Sequence, residues 1–599
     1  MTPHDATPCD ATAADATADA AAPHEPASLA ATPGGPRRTA RRVTVRFAAE
    51  GGGSGPLTRG QDNMVRCIRS SAPEQINRES VWPVPHGTSV PAGLAALRLL
   101  VERHESLRTS FPAGPGADGF PERQVVHRDG RFTVAVVEAG DRSEEELDAL
   151  AEELGRVDVA VPVALDAPPR VRFTLVAAGD RLLRLVAVVC HAGADGAATA
   201  VLIEDWHALA AGKVLPPVTA PTPLEIAVAE QSPQGRRRAA AALRHWARIL
   251  TTGPQTVFSD ARVTGPPRGH GALLVRSRTA ADHLAAVCRR TGASPSVVLL
   301  AAFAALVAHR AGRRGLVLSA LSANRQRAAL VDHVGTLAQD ALILLDTGAA
   351  DLDQLIGRAK SASLNAYWHS TLDAEKVWQL VEDAAHLRGA RFGRQVVVND
   401  LSLTVPATVA DTRPLPAVDP ELTVLPAPPL PVRLMFTVLR ITGSLDFVLI
   451  ACPQVLDAEE AEMFARALPA LLAAAAEGPV LLADLPAVLG PPGGGRDGEW
   501  LLIDDSWIDL AAVRDLLRTA LGDHRLSVVE GRLVAEVAAS DPAFGPVEAH
   551  RAVVAALPGR DTAMAPHHYV VRHATPAGER TESGSGRDPA VVAALSALT

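Results

Sequence analysis

An apolar run over residues 182–189, interrupted only by Arg184, passes directly into Cys190-His191-Ala192-Gly193-Ala194-Asp195-Gly196, and this junction constrains the fold most. The run reads as a buried strand. After Gly196, an apolar-rich stretch through Trp206 and Ala211 predicts a helix that closes near Gly212. A histidine therefore sits on a short loop between a core strand and a core helix, where a scaffold can hold a base rigidly. Its imidazole titrates near physiological pH and can take a proton from an amine or a hydroxyl. Gly196 permits a tight turn behind Asp195. Alone, His-x-x-x-Asp-Gly is a weak string that fits a structural histidine better than a catalytic one.

Strands and helices alternate along the rest of the chain. Residues 43–47 alternate as a first strand, and the glycines of 51–55 predict a flexible link. Leu94, Leu97, Leu100 and Val101 give residues 91–105 one apolar helical face. Ser294-Pro295 opens a helix whose apolar run is too short to span a bilayer. Residues 395–398, 434–439 and 445–451 read as strands. Asp457-x-x-Glu460 predicts a capping box for a helix ending near Gly478-Pro479, with a kink at Pro469. The mixture points to an α/β fold with mixed sheets.

The expected boundaries are a disordered tail over 1–40, a first lobe over 41–225 and a second lobe over 226–485. A linker over 486–499 holds Pro491-Pro492-Gly493-Gly494-Gly495, and a small α/β unit follows over 500–599. In that unit Trp507 leads a predicted helix, and residues 524–537 form a hairpin around Glu530-Gly531.

A net charge of −9 over 599 residues argues against nucleic acid as the main partner. The cluster Arg37, Arg38, Arg41 and Arg42 flanks the tail and reads as solvated charge. The five cysteines are far apart, odd in number and without a Cys-x-x-Cys pair, so neither a disulfide framework nor a metal site is expected. That usage fits a reducing cytoplasm, and neither a signal segment nor a membrane partner is expected.

The histidine loop resembles the His-His-x-x-x-Asp-Gly motif of nonribosomal peptide synthetase condensation domains, in the chloramphenicol acetyltransferase-like acyltransferase superfamily. The family's second histidine falls on His191, and its first falls on Cys190, a departure. Leu57-Thr58-Arg59-Gly60-Gln61 resembles the family's opening motif. Arg103-His104-Glu105-Ser106-Leu107-Arg108-Thr109-Ser110-Phe111 resembles its second. Ala323-Asn324-Arg325-Gln326-Arg327 and Val334-Gly335-Thr336-Leu337-Ala338 resemble the region of the fifth, with Gln339-Asp340 where the family has Asn-Thr. The stretch Pro223 to Glu230 lacks the aromatic residues of the fourth. The resemblance covers roughly residues 41–485. It implies two chloramphenicol-acetyltransferase-like lobes forming a V around a central cleft.

The resemblance also implies the chemistry: acyl transfer from a thioester, carried on the phosphopantetheine arm of a carrier protein, to an amine or hydroxyl acceptor. His191 would be catalytic, by orienting the acceptor, taking its proton or stabilising charge. Asp195 and Gly196 would support the loop, Asp195 pairing with Arg325 or, failing that, Arg327. Cys190 and Asn399 are candidate cleft-lining residues. Cys190 reads either as a space-filling substitute for histidine or as a thiolate nucleophile. His104 is expected to be structural, and Glu105 and Arg108 to tie helix to strand as ion pairs. No Gly-x-Asp-Ser-Leu carrier site is present, so a peptidyl or acyl carrier protein is expected in trans, with no cofactor bound. The leading expectation is a free-standing condensation enzyme of specialised metabolism, forming an amide or an ester. The alternatives are a non-catalytic carrier-binding scaffold and a coenzyme A-dependent acyltransferase.

The last hundred residues resemble a degenerate C-terminal subdomain of adenylation enzymes. Ala577-Gly578-Glu579-Arg580 lacks the lysine of that pattern, so neither ATP binding nor a reactive group is expected there. The Pro/Gly-rich linker implies a modest interface, and a core that survives truncation after about residue 490.

Overall fold

A computed structural model describes residues 40–599 except 403, 405–413, 428–429, 490–495, 497 and 576–577. The predicted tail up to residue 39 and the Pro-Pro-Gly-Gly-Gly run of the predicted linker lie outside the described residues.

The first lobe is built on a five-stranded sheet in the order Ala40–Ala48, Asp129–Glu138, Val171–Ala178, Arg181–Val189, Arg78–Trp82. Only the pairing of Asp129–Glu138 with Val171–Ala178 is parallel. On one face, Trp82, Phe173, Leu185 and Val189 pack beneath helices Val90–Arg103 and Gly196–Ala210. On the other, Val137, Val176 and Val186 meet helix Glu144–Val159. The strand Arg181–Val189 is thus covered on both sides, which is why its sequence runs apolar instead of alternating.

The second lobe carries seven strands, in the order Gln339–Asp346, Gly315–Ser322, Val396–Asp400, Leu434–Arg440, Leu445–Ala451, Gly271–Ser277, Glu421–Leu425. The second to fourth of these run parallel to one another, and every other neighbouring pair is antiparallel. Helix Pro295–Ala311 is apolar all round because it is buried against Phe436, Phe447 and Phe464 in the largest core of the molecule. Asp457 and Glu460 make both bonds of the expected capping box, each 2.9 Å, at the start of helix Ala458–Glu477, and Pro469 lies inside that helix. Among the described residues no single helix is long and apolar enough to cross a membrane.

The glycine-rich stretch expected as a flexible link is instead a strand, Gly53–Pro56, paired with Arg123–Val126. Its glycines serve close packing: a Cβ on Gly52 would lie 2.6 Å from Arg128 Cγ, and one on Gly55 2.9 Å from Leu224 Cδ2. Trp507 also departs from expectation. It lies in strand Ser506–Asp509, paired with Trp500–Ile503, and the helix begins only at Leu510, capped by Asp509. The predicted hairpin forms between His524–Val529 and Arg532–Ala539, with positive φ at both Glu530 and Gly531.

The modest interface expected of the C-terminal unit is corrected. Arg388 Nη2 donates to the Asp504 carbonyl at 2.8 Å. Arg433 Nε and Gln395 Nε2 converge on Asp561 Oδ2 at 2.9 and 2.6 Å. His550 Nε2 donates to the His386 carbonyl, and the Asp588 amide donates to His386 Nε2, both at 2.8 Å. Leu595 is buried among Trp246, Leu250 and Leu380 of the second lobe. Arg388 also donates to the Leu250 and Gly253 carbonyls, and Arg433 to Gln454 and the Gly265 carbonyl, so the C-terminal unit completes bonding that the second lobe begins. Gln395 precedes strand Val396–Asp400, so this contact lies at the end of the strand opposite Asp400.

Candidate active site

The motif strand ends at Val189 because the next residues turn back on themselves. The Cys190 carbonyl accepts from the Gly193 amide at 2.8 Å and from the Ala194 amide at 3.2 Å. Gly193 is obligatory there, since a Cβ would lie 2.4 Å from Arg170 Cβ. The Ser106 hydroxyl, from the second motif, donates to the Gly193 carbonyl. Sequence reasoning missed this brace, which carries no signal beyond the motif itself.

Asp195 caps helix Gly196–Ala210, its Oδ1 accepting from the Ala198 amide at 2.9 Å. Its Oδ2 accepts from Arg325 Nη1 at 2.8 Å, from the Leu337 amide at 2.8 Å and from the Ala338 amide at 3.0 Å. One carboxylate therefore joins the first lobe to two segments of the second. Burial alone would raise its pKa, but Arg325 and these amides outweigh burial and hold it below the usual carboxylate range. Arg327, the alternate candidate, is exposed. Gly60 of the opening motif adds a second seam, for a Cβ there would lie 2.1 Å from the Thr336 carbonyl oxygen.

His191 is half-buried on the loop. Its Nδ1 is fully buried and has no hydrogen-bond partner among the described residues. Burial pushes the imidazole pKa down to about 4; the Arg78 guanidinium adds to this and Asp195 opposes it. The ring is thus neutral at pH 7 and can accept a proton or a hydrogen bond. Asp195 spends its bonds on Arg325 and backbone amides, so the pair is no triad. Gly196 faces the second lobe: a Cβ there would lie 3.6 Å from Leu401 Cδ2. This sets the end of strand Val396–Asp400, with half-buried Asn399, against the loop.

Cys190 does not line the cleft. It is 1% exposed and packs with Val65, Phe111 and Ala192. Successive residues leaving a strand point to opposite sides, so Cys190 turns away from the side taken by Val189, into a separate cluster behind the loop. Arg170 is buried beneath it, and its guanidinium donates to the Ala164 and Ala167 carbonyls.

The other motif residues are structural. His104 Nε2 lies 2.8 Å from Asp205, which also takes Arg103 at 2.8 Å. Arg108 and Glu105 form the expected ion pair at 3.9 Å, and Arg108 Nη1 also donates to the Gly51 and His127 carbonyls at 2.6 and 2.7 Å. Gln339 brackets Leu372, accepting from its amide at 2.8 Å and donating to its carbonyl at 3.1 Å. A cavity of about 700 Å³ lies behind the loop, lined by His104, Glu105, Arg108, Val214 and Val334. His191 is not among its lining residues. Among the described residues no group of three or more His, Cys, Asp or Glu could hold a metal ion.

The condensation-domain family model matches residues 92–484. Tyrocidine synthase 3 of Brevibacillus parabrevis is 25% identical over 299 residues, 49% of this chain but only 4% of that protein. The chain thus spans a small fraction of that curated relative. The condensation domain of the Monacolin K polyketide synthase MokA is 17% identical with a TM-score of 0.57, covering 72% of this chain and 98% of that one. SgcC5 from Streptomyces globisporus is 20% identical with a TM-score of 0.54, covering 74% of this chain and 100% of that one.

Proposed function

The chain belongs to the condensation-domain family, and from that premise we propose that it transfers an acyl group from a carrier-protein thioester to an amine or hydroxyl acceptor at His191. The observation that carries this reading is the neutral imidazole on a loop pinned by Asp195 to both lobes. Asp195, Gly196 and Arg325 act as positioning residues.

A thioester is already activated, so holding acceptor and acyl carbon in register supplies much of the rate. The acceptor nitrogen or oxygen attacks the acyl carbon, and His191 accepts its proton. Because the imidazolium is a strong acid in this setting, it passes the proton to the leaving thiolate. The C–S bond breaks, a C–N or C–O bond forms, and the thiol departs on the pantetheine arm. Burial of Cys190 away from the cleft disfavours both a cysteine nucleophile and an impaired, purely scaffolding site. The last unit, over residues 500–599, serves packing and protein docking in a free-standing enzyme of specialised metabolism, working in the cytoplasm with a carrier in trans.

The test is incubation with acyl-loaded carrier proteins and with the matching acyl-coenzyme A, read by intact mass. Acyl loss from the carrier with appearance of an amide or ester supports the reading. Turnover of the coenzyme A thioester alone replaces it with the coenzyme A-dependent alternative.

A further inference from the structure

Arg78 opens the edge strand Arg78–Trp82 and stands opposite Val189, two positions before His191. Residues directly across an antiparallel ladder share a face of the sheet. Arg78 therefore lies on the face of Val189, Ser80 and Trp82, the face that carries helix Gly196–Ala210. Its neighbour Glu79 lies on the other, where its Cβ sits 3.4 Å from where a Cβ on Gly155 would be. Glu79 thus acts on Arg78 only through space, and the guanidinium has no hydrogen bond or ion pair among the described residues. Water reaches the Arg78 side chain, yet enclosure by protein lowers its pKa. A cation that is wetted and enclosed at once lines a cleft, and its field reaches the His191 ring.

We infer that Arg78 binds the free carboxylate of the acyl acceptor beside His191, so that the acceptor is an amino or hydroxy acid not tethered through its carboxyl group. This rests on the reading of His191 as the acyl-transfer site. A guanidinium matches a carboxylate in planar, two-point geometry. The competing anion, the phosphodiester of the carrier's arm, is separated from the thioester sulfur by the whole pantetheine chain. It cannot stand at Arg78 while the thioester stands at His191. An acceptor loaded on a carrier has its carboxyl group converted to a neutral thioester and would leave Arg78 unpaired. In the transfer the carboxylate is unchanged: the acceptor loses one N–H or O–H proton to the departing thiol and gains the acyl group. Its charge also offsets that of Arg78, so that the imidazole becomes a stronger base only when the acceptor is in place.

The experiment is an NMR titration of the imidazole-labelled full-length protein, with the His191 signal assigned through His191→Gln. The probes are a set of free amino and hydroxy acids, their primary amides, inorganic phosphate and coenzyme A. At least one acid should raise the His191 pKa and bind ten-fold or more tightly than its amide. Arg78→Gln should itself raise that pKa and abolish the acid preference, and Arg78→Lys should keep part of it. The inference is overturned by equal binding of acids and amides, by acid binding unchanged in Arg78→Gln, by no acid binding, or by preference for phosphate or coenzyme A. This readout is independent of turnover. Full activity in His191→Ala would remove the acyl-transfer reading while leaving the Arg78 binding result standing.

Discussion

Asp195 and Arg325 meet at 2.8 Å although 130 residues separate them, and the carboxylate that receives this guanidinium also caps the helix behind His191. The pair joins the two lobes at the point where the candidate base is held. Both side chains are almost wholly buried, at 1% and 8% exposure, so removing one strands the other in a setting that cannot solvate it.

Asp195→Ala is therefore expected to destabilise the protein by about 3–5 kcal/mol, the range for breaking a buried pair from one side. Because the folded-state pKa of Asp195 is depressed, its contribution is present above the ordinary carboxylate value and lost as pH falls through the folded value. Denaturant unfolding from pH 7 to pH 3 should show parent and variant converging towards the acid end. Equal stability at pH 7 would remove the brace.

Glu230 predicts the opposite slope. Burial pushes its carboxyl up to about 7, against the Arg59 amide that donates to it at 2.8 Å. The folded state then holds a proton that the unfolded state has released, so stability falls as pH rises from the ordinary glutamate value to 7. Glu230→Gln keeps an acceptor for that amide and removes the charge. Its melting temperature should exceed that of the parent above pH 7, and the gain should vanish at pH 4. A pH-independent difference would refute this.

Cys190→Ala should retain most activity, with a stability loss of about 1–2 kcal/mol for a small buried side chain. Intact-mass analysis during turnover should find no acyl group on the protein. Loss of activity together with a trapped acyl-Cys190 would restore the nucleophile reading.

Truncation before Trp500 should yield an insoluble or strongly destabilised product. It removes the carboxylate that receives Arg433 and Gln395, the carbonyl that receives Arg388, and the leucine that covers Trp246 and Leu380. A soluble fragment melting as the parent does would contradict the interface described above.

The motif strand, loop and helix were legible because both flanks are apolar and their periods differ. The Asp195–Arg325 pairing came from the family resemblance alone, since nothing local links residues so far apart. Arg78 was illegible because its position depends on which strand pairs with Arg181–Val189. Ser106 was missed because its acceptor is a backbone carbonyl. The C-terminal interface was misjudged for a similar reason: glycine and proline in a linker say nothing about the acceptors waiting beyond it. Cys190 was legible as a space-filling residue, because neighbours at a strand end point to opposite sides, and its burial agrees with that reading.

We propose that His191 handles the acceptor's proton. It is tested most directly by product formation from an acyl-loaded carrier in parent and His191→Ala, with folding checked by melting temperature. The variant should fold as the parent does and turn over about 100-fold or more slowly, as removal of a proton-transfer group implies. The histidine limb of the parent pH–rate profile should fall only near the depressed value of about 4. Turnover in His191→Ala equal to that of the parent would contradict the proposal.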